Sequence, residues 1–265
     1  MIERSAVEAA AQAIVVARAA KRPIGRWPEP HRPRTEADGY TIQEAVHARL
    51  AARDGRGLGG YKIGCTTPTM QRLVGVDHPC YGGMAAAAVV PGPADLEHAA
   101  YRSVAVECEI AVRIGRGLGP EHAPFSAGSV ARHVATCMAS AEIVDDRYID
   151  RFEVGAAVLI ADDFFNAGAV LGPERADWRS LDLAALGART LVDGHLRGEG
   201  RGADVLGHPM AALAWLAGAL AARGRGLGTG HVVSLGSMVA AQRMKRGEQA
   251  IIAVDSLGEA RVRFH

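Results

Sequence analysis

Apolar positions recur at helical spacing through the alanine-rich segment that follows Ser5-Ala-Val-Glu8, a capping-box pattern, and predict a helix ending near Arg18 to Lys21. Pro23, Pro28, Pro30 and Pro33 then crowd too closely for helix or central strand. Thr41-Ile-Gln-Glu44 repeats the capping pattern and opens a second predicted helix to about Asp54. Residues 1–55 thus read as a helical N-terminal portion whose irregular loop, 22–40, could act as a lid. From Gly59 the texture changes to short apolar runs between glycines, a β-rich body over 56–265 with a few helices and no regular βαβ repetition. Strands are predicted at 61–65, 89–90, 104–114, 141–144, 169–171, 189–192, 232–235, 250–254 and 260–264. Helices are predicted at 67–74, 129–138, 155–163 and 209–222, the last with Pro209 at its first position and Leu213, Leu216 and Leu220 on its apolar face.

One strand carries unusual chemistry. In Val104-Ala105-Val106-Glu107-Cys108-Glu109-Ile110-Ala111-Val112 the branched residues and Cys108 take the even positions, while alanine and glutamate share the odd ones. A period of two puts both glutamates on one face, with Cα atoms roughly 6.6 Å apart at a rise of about 3.3 Å per residue, so that both carboxylates can converge on one cation. Exposed glutamates on the solvent face of an amphipathic strand are the ordinary alternative. Against it, Ala105 and Ala111 share that face, the first basic residue is Arg113, and Glu142 sits between Ala141 and Ile143 in another apolar run. Three carboxylates, without histidine or thiolate, favour Mg²⁺ or Mn²⁺ over zinc or copper and leave positions for water or substrate.

Composition narrows the partners. With 265 residues at 49% hydrophobic, the chain can bury a large core without staples. Thirty basic against 29 acidic residues give a formal charge of +1, without a basic stripe interleaved with aromatics, so neither nucleic acid nor an anionic membrane is an expected partner. Cys65, Cys80, Cys108 and Cys137 show no Cys-x-x-Cys spacing and read as reduced core thiols. The start, Met-Ile-Glu-Arg-Ser, is not a signal peptide, and the longest helical apolar stretch, 210–222, is short of the roughly 18 residues a bilayer span needs; a cytoplasmic protein is expected.

Gly55-Arg-Gly57-Leu-Gly-Gly60 satisfies the Gly-x-Gly-x-x-Gly dinucleotide pattern, but a predicted helix precedes it and a strand follows, the reverse of what a pyrophosphate cradle requires. Gly-Arg-Gly-Leu-Gly recurs at Gly115 and Gly224, each time between elements, which marks a permissive connector.

With the acidic trio in view, an ordered set of motifs stands out: Gly60-Tyr-Lys62-Ile-Gly64-Cys-Thr66, Gly75-Val-Asp77, Val106-Glu107-Cys-Glu109-Ile-Ala111, Glu142-Ile-Val-Asp145-Asp-Arg147, Gly168-Ala-Val-Leu-Gly172, Val205-Leu-Gly-His-Pro209 and Gly236-Ser237. From about Ser5 to the C-terminus the chain resembles the fumarylacetoacetate hydrolase superfamily, in the branch of 2-keto-4-pentenoate hydratases, 2-oxohept-3-ene-1,7-dioate hydratases and 4-oxalocrotonate decarboxylases. The resemblance implies an α+β fold, a mixed β-sheet roll with flanking helices, assembled as a homo-oligomer, dimer or larger. It also implies Mg²⁺ or Mn²⁺ on Glu107, Glu109 and Glu142, and a site-lining Lys62. Taken as residues alone, Lys62 is a strand lysine that would ordinarily face solvent, although Gly60 and Gly64 on either side permit close approach of a ligand.

Two departures bear on the chemistry. Hydratases of the branch carry Pro-Asp-Tyr-Gly or Pro-Asp-Phe-Gly where this chain has Pro79-Cys80-Tyr81-Gly82, so a carboxylate thought to move protons is replaced by a thiol, a poor general base at neutral pH. Lys62, a metal-bound water or His78 would have to take over. Asp163-Phe164-Phe165-Asn166 replaces small polar residues; the phenylalanines read as core, and Asn166 as a substrate contact. The expected activity is a metal-dependent lyase of the hydratase type acting on a small 2-oxo or 2-hydroxydienoic acid. In that scheme Lys62 neutralises the substrate carboxylate or shuttles a proton if burial lowers its pKa. Cys80 and Ser237 lie against substrate, and Asp145 and Arg147 orient Glu142 from outside. Decarboxylation and carbon–carbon hydrolysis are the rival reactions. Glu29-Pro30-His31 lies where a hydrolase lid would carry its acid–base pair but lacks the motif, which ranks hydrolysis last among enzymes. A metal-stabilised scaffold without chemistry is the rival from another class.

Overall fold

A computed structural model describes residues 2–25, 27–149 and 154–265. Helix α1, Arg4–Ala19, buries Ala6, Val7, Ala10, Ala11 and Ile14, a stripe of three- and four-residue steps. Its N-cap is Glu3, without a side-chain cap, so Ser5 lies inside the helix and the predicted capping box is not made. Helix α2, Glu36–Asp54, begins earlier than predicted because Thr35 Oγ1 accepts from Asp38 N and Asp38 Oδ2 accepts from Thr35 N. Thr41 is therefore interior, its hydroxyl donating back to the Ala37 carbonyl.

The body follows as β1 Leu58–Gly64, α3 Pro68–Val74, β2 Cys80–Ala85, β3 Val89–Pro91, β4 Ala94–Leu96, β5 Val104–Ile114, α4 Ala127–Ala131 and β6 Val134–Asp145. It continues through α5 Ala156–Ala161, β7 Asn166–Leu171, β8 Gly187–Val192, β9 His195–Arg201, α6 Pro209–Ala221, β10 Val232–Arg243, β11 Gln249–Val254 and β12 Gly258–Phe264. Two mixed sheets result, a seven-stranded one in the order β2-β1-β10-β5-β6-β7-β3 and a five-stranded one in the order β4-β12-β11-β8-β9. The second packs on the first through β11 and β12 against β6. Val7, Ile14, Ile42 and Val46 of the two N-terminal helices belong to the same apolar cluster as Val106, Ile110 and Ile143 of the sheet, so the helical portion shares the body's core.

The predicted helix over 129–138 is a correction: α4 is one turn, and from Val134 the chain runs as β6. Most of β6 is buried on both faces, which erases the alternation that would distinguish a strand from an apolar helix. Strand β2 was not predicted, since its glycines lack strand propensity. Gly82 is there for close approach: a Cβ on it would lie 2.4 Å from the Asp163 carbonyl oxygen. The stretch Gly202–Ala221 has the length and apolarity of a membrane span, yet its helix α6 buries Met210, Ala212, Leu213, Leu216 and Leu220 in the core.

Candidate metal centre

Strand β5 has the two faces its pattern predicts. Val104, Val106, Cys108, Ile110, Val112 and Ile114 lie in the main core. On the other face Ala111 joins Met84, Met138, Ala169, Leu171 and Val232 in a smaller apolar cluster. The antiparallel register places Glu142 of β6 directly across from Glu107, and Ser140 across from Glu109, so all three carboxylates project from one face of two adjacent strands. One oxygen from each lies within 4.8 Å of the others, and Glu109 and Glu142 are 0% exposed.

The hydrogen bonds around the trio divide each buried carboxylate into a tied and a bare oxygen. Glu109 Oε2 accepts from the Gly236 N–H at 3.0 Å, a contact made where β10 kinks through a φ of +122° at Gly236 and comes so close to Thr66 that any Cβ would clash with its side chain. Glu142 Oε1 accepts from Asn166 Nδ2 at 3.0 Å and pairs with Lys62 Nζ at 3.1 Å. Glu109 Oε1 and Glu142 Oε2 are buried without a partner. A bare buried carboxylate oxygen is costly, and two of them beside Glu107 fit a hard cation with oxygen ligands.

Electrostatics point the same way. Burial pushes Glu107 up to about 7 against the pull of Lys62, and Glu142 adds to the rise. Burial, then Glu142 and Glu107, hold Glu109 well above the usual carboxylate range. Lys62, 4% exposed, would lose its proton more readily through burial alone, but Glu142, Glu107 and Glu109 outweigh that and hold it above its ordinary value. The condition set for a proton-shuttling Lys62, a pKa lowered by burial, is therefore not met while the three carboxylates stand without a cation. Fully ionised, the three carboxylates would exceed the one ammonium by two negative charges; without a cation that excess is limited by protons held on Glu107 and Glu109, and a divalent cation would neutralise it instead.

Several expected site residues do other work. Asp145 accepts from the backbone N–H groups of Arg102 and Ser103, and makes no described hydrogen bond to Glu142. Arg147 likewise does not reach Glu142; it grips Asp162 and the carbonyl of Asn166, and Asn166 is the residue that donates to Glu142. Cys80 is fully buried, and its thiol is held protonated by the neighbouring Cys65 thiol and by burial, which removes it as a base. The Ser237 hydroxyl donates to the Val239 carbonyl at 2.7 Å, so its neighbour Gly236 supplies the contact to the trio. His78 pairs with Glu36, while His31 closes a short 3₁₀ turn, Glu29–His31, in the loop after α1. Phe164, buried as expected, borders the site: a Cβ on Gly64 would lie 3.5 Å from its ring and 3.6 Å from Lys62 Nζ. Gly236 was named from sequence only as part of a motif, because a backbone N–H that reaches Glu109 leaves no residue pattern.

Residues 73–265 match the family of fumarylacetoacetate hydrolase C-terminal domains. A 2-keto-4-pentenoate hydratase of Burkholderia vietnamiensis is 31% identical over 225 residues, 85% of this chain and 84% of that protein. A 4-oxalocrotonate decarboxylase of Pseudomonas putida is 31% identical over 231 residues, 87% of this chain and 86% of the relative. Among solved structures, the 4-oxalocrotonate decarboxylase from Pseudomonas putida G7, complexed with magnesium and adipate, covers 100% of this chain and 99% of its own length with a TM-score of 0.92 at 27% identity. Sequence and fold together establish that the chain belongs to the fumarylacetoacetate hydrolase family, in the branch of 2-keto-4-pentenoate hydratases and 4-oxalocrotonate decarboxylases.

Proposed function

We propose that this chain is a divalent-metal-dependent hydro-lyase that adds water to a small 2-hydroxydienoic or 2-oxo acid and works as a cytoplasmic homo-oligomer. The observation that carries the reading is the pair of bare buried oxygens, Glu109 Oε1 and Glu142 Oε2, converging beside Glu107. Mg²⁺ or Mn²⁺ held by these three residues would supply Lewis acidity toward the carboxylate and 2-oxygen of the substrate. The protein's own part is positioning and charge. Gly236 N–H and Asn166 Nδ2 fix the two buried carboxylates before substrate arrives, so little reorganisation remains for the reaction. Lys62 Nζ, 3.1 Å from Glu142 Oε1, offers a cation to the substrate carboxylate or a proton to negative charge growing on the 2-oxygen. Ala111, Met138, Ala169 and Leu171 form an apolar floor that excludes water from one side. With Cys80 protonated, its thiol contributes no base to the reaction.

Decarboxylation is the second reading, favoured by the full-length structural match to a 4-oxalocrotonate decarboxylase, and stabilisation of an enolate serves either reaction. The test is an ultraviolet assay of 2-hydroxydienoates, oxalocrotonate-like diacids and acylpyruvates with and without Mg²⁺. Loss of dienol absorbance without carbon dioxide supports hydration, carbon dioxide release supports decarboxylation, and turnover that survives both chelation and Glu107→Gln would sink the metal mechanism.

A further inference from the structure

Glu142 is held by a residue that is itself held from far away in the chain. Between α5 and β7 the backbone passes through three consecutive non-glycine residues in the left-handed region, Asp163, Phe164 and Phe165, with φ of 56°, 49° and 68°. Such a run persists only where its surroundings enforce it, and here both ends are clamped. At one end Asp163 accepts from Gly83 N at 2.8 Å and pairs with His47 Nε2 at 2.6 Å. At the other, Arg147 Nη1 donates to the carbonyl oxygens of Phe165, at 3.3 Å, and Asn166, at 3.1 Å. Arg147 is anchored in turn, Nε to Asp162 Oδ2 at 2.8 Å and Nη2 to the Asp162 carbonyl at 3.0 Å. The second oxygen of Asp162 is taken by Arg18 of α1, whose Nε lies 2.6 Å from Oδ1 and whose Nη2 reaches Asp163 Oδ2 at 3.0 Å. The side chain of Asp162 is 0% exposed and that of Arg147 7%, so these charges hold one another in a poorly screened interior.

We infer that Arg18, Asp162 and Arg147 are positioning residues for the metal centre, acting on Glu142 through Asn166. The inference rests on the metal-binding reading above. Its logic is the occupancy of Glu142: Lys62 and Asn166 together consume Oε1, and this aims the bare Oε2 at the cation. Loosening the network lets the left-handed turn relax, Asn166 withdraw and Glu142 rotate, so Arg18 of α1, 144 residues from Asp162 in sequence, sets the affinity of a site it does not touch.

Isothermal titration of Mn²⁺ into wild type, Arg18→Gln, Asn166→Ala and the double variant tests this, with circular dichroism verifying that each is folded at the titration temperature. Loss of an outer-shell partner generally costs about 10- to 100-fold in metal affinity, and about tenfold is expected for either single variant. Because Arg18 is argued to act through Asn166, adding Arg18→Gln to Asn166→Ala should change affinity by less than about twofold. A general loosening of the fold would instead weaken binding further in the double variant, and that outcome, or a folded Arg18→Gln with wild-type affinity, overturns the inference. Arg18→Lys provides the same comparison if Arg18→Gln does not fold. A wild-type chain that binds no Mn²⁺ overturns the metal reading itself, whereas normal wild-type binding with an unaffected Arg18→Gln overturns this inference alone.

Discussion

Glu107 titrates where it matters. Its carboxyl is raised from about 4.5 to about 7, chiefly by burial, so between those values the folded metal-free protein holds a proton that the unfolded chain has released. The native state then binds more protons than the unfolded state, and stability must fall as pH rises through this window. A thermal melt of the chelated protein should accordingly give a higher Tm at pH 6 than at pH 8, whereas the increase in Tm caused by Mn²⁺, which needs the deprotonated ligand, should be larger at pH 8. The opposite order would show that Glu107 is already ionised without metal. Lys62 makes a separable contribution. Replacing it by Met removes one positive charge from beside Glu142 and one of the two contacts on its Oε1, so Mn²⁺ binding should weaken by no more than about tenfold, while turnover falls by about 10²- to 10³-fold, the usual cost of losing one donor that meets developing charge. Loss of metal binding in Lys62→Met would show that the lysine builds the site and does not serve the reaction.

At the scale of elements, caps and turns decide where side chains arrive. Thr35 and Asp38 start α2, and Asp38 also accepts from Ile2 N, tying the chain start to the helix. Thr35→Ala should cost about 1 kcal/mol in urea unfolding with Mn²⁺ affinity unchanged; a loss below about 0.3 kcal/mol would mean that packing alone sets the helix start. The same cap shows what was legible. Ser5-x-x-Glu8 and Thr41-x-x-Glu44 fit the usual motif and are not used, whereas the working cap has aspartate at its third position. Strand β5 was readable end to end because its faces differ in chemistry, branched residues on one and alanine with glutamate on the other, and the same contrast exposed Glu107 and Glu109. Strand β6 has two apolar faces and was half mistaken for helix, although Glu142 still stood out as a charge with no apolar reason to be there. Asn166 was marked for the site as a substrate contact, but its hydrogen bond to Glu142 was not legible, since no residue pattern announces a left-handed turn built from Asp, Phe and Phe. The Arg18 link was invisible for a simpler reason: Arg18 and Asp162 are 144 residues apart in sequence, and arginine on a helix ordinarily faces water.

Across the whole molecule the site reaches five neighbouring strands of the seven-stranded sheet: Lys62 from β1, Gly236 from β10, Glu107 and Glu109 from β5, Glu142 from β6 and Asn166 from β7. A cation held by the trio would act as a cross-strand staple between β5 and β6, and its binding free energy would appear as stability of the fold. At a free Mn²⁺ concentration about 100 times its dissociation constant, the folded state gains about 2.7 kcal/mol. At about 2–4 °C per kcal/mol for a chain of this size, that corresponds to a rise in Tm of about 5–10 °C over the chelated protein. Because the staple joins strands that also carry the main core, far-ultraviolet and near-ultraviolet signals should shift together. Glu109→Gln removes a ligand whose bare oxygen has no other use, so the variant should melt at the same temperature with Mn²⁺ as with chelator. A wild-type Tm indifferent to Mn²⁺, or a Glu109→Gln variant that responds as strongly as wild type, would mean that the buried oxygens are not the cation's ligands.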